Sequence, residues 1–215
     1  TGSYANVRRF LNNGRLPPKD AIRIEEIVNY FPYNYPLPTG GYPFAVHTQT
    51  VDSPWQPEAK LIKIGIQAQD LAKKELPPAN LVFLVDVSGS MDEPDKLPLV
   101  KKTLRILTEQ LRPQDKVTLI TYADGEALVL PPTSGRNKDE ILRAINKLQA
   151  GSATAGESAL KMAYEQAQKA YVKNGINRIL LATDGDFNVG VSDTETLKSM
   201  VAEKRKSGIS LTTLG

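Results

Sequence analysis

Five short apolar runs rich in β-branched residues are spaced along the second part of the chain: "LVFLVDV" (81–87), "KVTLITYA" (116–123), "EALVLPP" (126–132), "RILLATD" (178–184) and "ISLTTLG" (209–215). Stretches of helical periodicity separate most of them, so from Leu81 the order reads strand, helix, strand, strand, helix, helix, strand, helix, strand. Parallel strands need helical crossovers and bury both faces, so this alternation predicts an α/β domain built on a mostly parallel sheet covered on both sides. The helical stretches agree. Leu97, Val100, Leu104, Leu107 and Leu111 make one apolar stripe, and Ala159, Leu160, Ala163, Ala167 and Ala170 make a small-residue stripe that can approach a sheet closely. Ser192 and Glu195 have capping-box spacing ahead of the last helix, and the basic cluster "AEKRKSG" (202–208) falls at its C-terminal end, where cations suit the dipole.

The first 80 residues differ in kind. They hold ten of the 15 prolines and nine of the 14 aromatics. This predicts a small, loop-rich α+β region over 1–78, joined near "KKELPPAN" (73–80) to an α/β domain over 79–215. In the first region "YANVRRFLNNG" and "DAIRIEEIVNYF" read as helices, the second capped by Asp20, while "YPFAVHTQTV" and "KLIKIGIQAQ" alternate as half-buried strands do. His47 is expected to be structural, and Trp55 to pack against the strand that follows it.

Composition narrows the chemistry. With no cysteine and a single histidine, thiolate sites and disulfides are excluded and imidazole sites are poorly supplied. A net charge of +3, evenly spread, gives no electrostatic footprint for nucleic acid. No apolar run reaches the ~18 residues that a membrane span requires. The chain begins at Thr1 without an initiator Met or a signal-like segment, so any targeting segment is expected to lie outside these residues.

In open parallel sheets, ligands bind beyond the carboxyl ends of the strands. Three polar clusters fall there: Asp86-x-Ser88-x-Ser90, the loop "AGSATAGES" carrying Thr154 (with Ser152 as the alternative hydroxyl), and "TDGDFN" carrying Asp184. Two carboxylates and three hydroxyls form an all-oxygen set. Such a set suits a hard divalent cation, Mg²⁺ first, with Mn²⁺ or Ca²⁺ as substitutes. Hydroxyls in the inner shell leave the cation enough positive character to recruit an anionic group, and a carboxylate from another molecule is the natural candidate.

"DVSGS", Thr154 and "TDGD" resemble the metal-ion-dependent adhesion site of von Willebrand factor A domains, an Asp-x-Ser-x-Ser, a Thr and an Asp from three loops. The resemblance runs from Leu81 to Gly215 in element order as well as motif. It implies a Rossmann-like doubly wound sheet, with Asp86, Ser88, Ser90, Thr154 and Asp184 as metal ligands and a partner's Glu or Asp completing the shell. It implies protein binding rather than catalysis. "TGSYANVRRFLNNGRLPP", "RIEEIVNYFPYNYP" and "LIKIGIQAQDL" are similar to a bacterial subgroup with an extra N-terminal domain, often lipoproteins, which implies the cell envelope. Members of the family carry one more strand and helix beyond the position of "ISLTTLG", which is expected to be missing here.

Simpler readings exist for each cluster. Asp and Ser commonly cap helices, and acids after strands commonly make turns. Asp186 can support a metal-bound water or merely turn the chain. Asp92, Glu93 and Asp95 read as the acidic start of the following helix. An enzyme is the functional alternative, because strand-end acids with Mg²⁺ also serve hydrolysis and phosphoryl transfer. Against it, Ser88 stands where an Asp-x-Asp phosphatase has its second acid, and "GSATAGES" lacks the P-loop lysine.

Overall fold

The computed structural model describes residues 2–70, 76–123, 125–151, 157–185 and 194–214. The chain divides into two units, Thr1–Glu75 and Leu76–Gly215.

In the first unit, α1 (Gly2–Asn12) gives way to Gly14 in the left-handed conformation, φ 67°, a common end for a helix. It packs on the short α2 (Ile24–Val28) through Tyr4, whose ring centroid lies 4.4 Å from that of Tyr30 and 5.0 Å from that of Phe31. The Ser3 amide donates to Glu26 Oε2 at 2.9 Å, and that bond holds the Glu26 carboxyl below its ordinary value. The expected single helix over "DAIRIEEIVNYF" is broken. Asp20 sits inside a 3₁₀ turn, Lys19–Ala21, and α2 starts after Arg23 with no side-chain cap. Ile22 and Arg23 are extended between the two pieces, and Ile22, Ile24 and Val28 remain 43%, 72% and 52% exposed. Without a buried stripe, nothing offsets the entropy of a continuous helix.

The strands β1 (Phe44–Asp52) and β2 (Lys60–Ala68) pair antiparallel from Phe44↔Ala68 to Asp52↔Lys60. A lone hairpin is marginal in water. Here one face carries an aromatic cover: the His47 ring stacks on Tyr35 at 5.2 Å, Tyr35 stacks on Tyr33 at 5.5 Å, and Lys63 Nζ stands 5.4 Å from both tyrosine rings. His47 Nε2 is 3.1 Å from Pro36 O, which gives this histidine its structural role. Tyr35 crosses the hairpin at Gly65, where an added Cβ would stand 2.6 Å from its Cε2. Gly65→Ala is therefore expected to destabilise this unit by about 2 kcal/mol, as overpacking does. Amide exchange across residues 44–68 checks it; unchanged protection would contradict the packing. Trp55, expected to pack on the next strand, is 80% exposed. It belongs to the turn after Asp52, where the Ser53 hydroxyl accepts from its amide at 3.3 Å and from that of Gln56 at 3.2 Å, so its side chain springs from outside the ladder.

The second unit holds a five-stranded sheet in the order β5-β4-β3-β6-β7, formed by β3 (Ala79–Asp86), β4 (Lys116–Tyr122), β5 (Glu126–Ser134), β6 (Ile176–Ala182) and β7 (Ser210–Leu214). All pairings are parallel except that of β5, an antiparallel edge. This is the doubly wound α/β architecture expected, beside a small α+β unit. Alternation along β3 sends Phe83 and Val85 into one core and Val82 and Leu84 into another. The first core is filled by α3 (Leu97–Glu109) and α4 (Lys138–Asn146), through Leu97, Leu104, Ile141 and Ile145. The second receives the small-residue stripe of α5 (Glu157–Lys169): Ala159, Ala163 and Ala167 are 0% exposed. The last helix, α6, spans Thr194–Arg205, with Lys204 and Arg205 in its final turn; Ser192 lies outside the described residues.

A polar clamp closes the amino end of the sheet. The Asp115 carboxylate accepts from the Ala79 amide at 2.9 Å, the Arg112 amide at 2.7 Å and Arg112 Nη2 at 2.8 Å. Arg112 also donates to Leu76 O at 2.5 Å and Pro77 O at 2.6 Å, fixing the entry to β3.

Candidate metal centre

β3 lies at the centre of the sheet, and its run over 81–85 can be apolar because helices cover both its faces. It ends on Asp86, a carboxylate with 0% exposure. Asp86 Oδ1 accepts the Ser88 amide at 2.9 Å, an Asx turn that bends the chain sharply at the strand end. A 3₁₀ turn, Gly89–Met91, follows and is anchored by Met91, 1% exposed. The result brings the hydroxyls of Ser88 and Ser90 to 3.1 Å from each other. Gly151 N donates to Val87 O at 2.7 Å, and a Cβ on Gly89 would stand 3.1 Å from Gly151 O. The loop leading toward Thr154 is thereby tied against the Asp86–Ser90 loop. Thr154 itself, Ser152 and Asp186 lie outside the described residues.

β6, next to β3, delivers the other carboxylate. The Thr183 hydroxyl, just past the strand, donates to Asp86 Oδ2 at 3.4 Å and accepts from the Gly185 amide at 3.2 Å. Gly185 has φ 109°, a conformation only glycine adopts freely. The Asp184 side chain is 10% exposed, and its Oδ2 accepts from Lys96 Nζ at 2.9 Å. That ammonium also donates to Ser90 O at 2.8 Å. These contacts, together with the peptide bond between Thr183 and Asp184, link Asp86, Ser88, Ser90, Lys96, Asp184 and Thr183 into one circuit. Beneath it, Tyr122 pairs with Asp86 in the β3–β4 register. Burial pushes its phenol well above the usual range; Thr183 opposes this, and the Asp86 and Asp184 carboxylates reinforce it.

The donor set fits a hard divalent cation. Asp86, Ser88, Ser90 and Asp184 offer only oxygens, on short loops supported by a rigid sheet, and a cation in the form of the Lys96 ammonium already stands among them. Among the described residues no group of three or more His, Asp or Glu gathers in one place, so hydroxyl oxygens give the site its character. Its place in the topology also fits. The chain leaves β3 toward β4 on one side and returns to β6 on the other, so β3 and β6 flank the switch point where doubly wound sheets open a crevice.

Two residues of the circuit, Lys96 and Thr183, were not anticipated from sequence. Lys96 carried a signal. It occupies the N-cap of α3, the helix end that disfavours cations, without capping it. The acids expected to open that helix precede it instead. Pro98 in the first turn fixes the start at Leu97, while Glu93 and Asp95 add to the field around Lys96. The hydrogen bond that Lys96 donates to Asp184, first, and these charges hold the Lys96 ammonium above its ordinary pKa.

Two models of von Willebrand factor sequences match: one, described as von Willebrand factor, over residues 1–63, and one, the von Willebrand factor type A domain, over 81–186. The chain belongs to the von Willebrand factor type A family. The Escherichia coli (strain K12) protein YfbK is 49% identical over the whole of this chain, which spans 39% of YfbK. A von Willebrand factor type A structure from Catenulispora acidiphila shares the fold at 17% identity, with TM-score 0.53 over 84% of this chain and 42% of that one. Proximal thread matrix protein 1 of the mussel byssus, solved with zinc in its MIDAS motif, shares it at 22% identity, with TM-score 0.50 over 64% of this chain and 35% of that one. No helix among the described residues is long and apolar enough to cross a membrane.

Proposed function

We propose that this von Willebrand factor type A domain is a divalent-cation-dependent protein-binding module. Asp86, Ser88, Ser90 and Asp184, with Thr154, would hold one Mg²⁺, and an Asp or Glu of a partner protein would complete its coordination. The observation that carries this reading is the gathering of Asp86, Ser88, Ser90 and Asp184 oxygens at the β3–β6 switch point, linked through Lys96 and Thr183. The zinc-occupied MIDAS of the mussel byssus protein supports it by likeness of fold.

A bound divalent cation supplies a positive centre that a carboxylate can reach. The protein's own residues prepare that centre. Asp86 is fixed by the Ser88 amide and Thr183, the serine hydroxyls are aligned by the Asx turn, and buried Tyr122 supports the floor as a neutral phenol. Binding is favoured over phosphoryl transfer because Ser88 stands where an Asp-x-Asp phosphatase has its second acid. The organisation into a small N-terminal unit and a larger binding domain, and a place at the cell envelope, belong to the same proposal.

The test passes a random peptide library over the immobilised chain in Mg²⁺ and elutes with EDTA. Eluted peptides enriched in Asp and Glu are expected. Retention that EDTA does not release, or an eluate no more acidic than the starting library, would overturn the reading.

A further inference from the structure

Lys96 stands out because its position contradicts a local rule. A cation at the N-cap of a 13-residue helix opposes the dipole, and such conflicts call for a compensating role. The compensation is visible in the contacts. Its Nζ reaches Ser90 O at 2.8 Å and Asp184 Oδ2 at 2.9 Å, joining the first loop of the site to one 88 residues away in the chain. Asp184 is 10% exposed and Asp86 is fully buried, so two carboxylates share one poorly solvated place. Without a neighbouring positive charge that arrangement is unfavourable.

We propose that Lys96 is the resident counter-cation of the metal site, and that a divalent ion binds by exchanging with it. This rests on the metal-site reading given above and adds the residue that sets its affinity. The Lys96 ammonium and a metal ion on the same carboxylate would repel each other at a few ångströms, so a metal on Asp184 weakens the Lys96 contact and that contact weakens the metal's hold. Lysine suits the exchange: its charge is compact and strongly hydrated, on a flexible stem, and its side chain is 33% exposed, so it can swing outward. Glu93 and Asp95 already contribute to the field at Lys96 and offer the released ammonium an alternative. Affinity for the metal is therefore reduced by the free energy of the Lys96 contacts, and the empty site is kept assembled by them.

The experiment titrates Mn²⁺ into the full 215-residue chain and follows free Mn²⁺ by electron paramagnetic resonance, for the wild type, Lys96→Met, Lys96→Gln and Lys96→Arg. Lys96→Met and Lys96→Gln are expected to bind Mn²⁺ roughly three- to tenfold more tightly, the scale of one partly exposed ion pair, and Lys96→Arg to stay near the wild type. In EDTA, Lys96→Met is expected to melt below the wild type, with saturating Mn²⁺ removing the deficit. Equal or weaker Mn²⁺ binding by both neutral variants would overturn the exchange while leaving the metal site in place. No binding by any form, wild type included, would overturn the metal site itself and the exchange with it.

Discussion

Asp86→Asn is expected to weaken Mg²⁺ or Mn²⁺ binding by about 100-fold or more, since removing a carboxylate that itself ligates the metal exceeds the 10–100-fold typical of outer partners. The substitution keeps the volume and an acceptor for the Ser88 amide, so the Asx turn survives while the charge is lost. Metal that binds only the folded state stabilises it by about 2.7 kcal/mol at 100 times its Kd. The wild type should therefore melt several degrees higher with saturating Mg²⁺ than in EDTA, and Asp86→Asn should melt at the same temperature in both. A variant that retains the full Mg²⁺-dependent shift would exclude Asp86 as a ligand.

The second large effect is on stability and lies at the opposite end of the sheet. Asp115→Ala is expected to destabilise the larger unit by about 3–4 kcal/mol, because buried donors that lose their acceptor each cost roughly 1–3 kcal/mol. The Ala79 and Arg112 amides lose their acceptor together, and the Arg112 guanidinium loses Asp115 while keeping the Leu76 and Pro77 carbonyls. The same carboxylate has a pH signature. Burial alone would raise its pKa, but the hydrogen bonds from Arg112 and the Ala79 amide outweigh that and bring it below its ordinary 3.8. A depressed folded pKa means that the unfolded chain takes up the proton first as pH falls. The contribution is thus fully present above the unfolded value of about 3.9 and fades as pH drops from there through the folded value. The gap in melting temperature between wild type and Asp115→Asn should be constant from pH 5 to 7 and narrow below about pH 4. A gap that is constant down to pH 3 would show that charge is not what Asp115 contributes.

The sheet was legible in the sequence because burial on both faces leaves a strong signature: β3 shows four consecutive residues, Val82 to Val85, at 1% exposure or less. Two of the three polar clusters were legible for a related reason, while the third, with Thr154, lies outside the described residues. Polar residues gathered after two such strands stand out against their apolar runs, and Asp86 and Asp184 do fall at the adjacent ends of β3 and β6. What sequence could not supply was the circuit's closure. The Lys96–Asp184 contact spans 88 residues, and only the topology makes β3 and β6 neighbours. The first unit was read less well, since its elements are held by aromatic stacking and short turns rather than by periodic burial. The stretch over Asp20–Phe31 has helical composition but no stripe to bury, and Trp55, expected to pack against the strand that follows, sits in a turn with its side chain exposed.

The most direct measurement is a crystal of the chain grown with Mn²⁺ and phased on the manganese edge. One anomalous peak is predicted at the carboxyl ends of β3 and β6, bounded by Asp86, Ser88, Ser90 and Asp184, with Lys96 withdrawn from Asp184. A peak bound elsewhere, or no peak there at saturating Mn²⁺, would contradict the account.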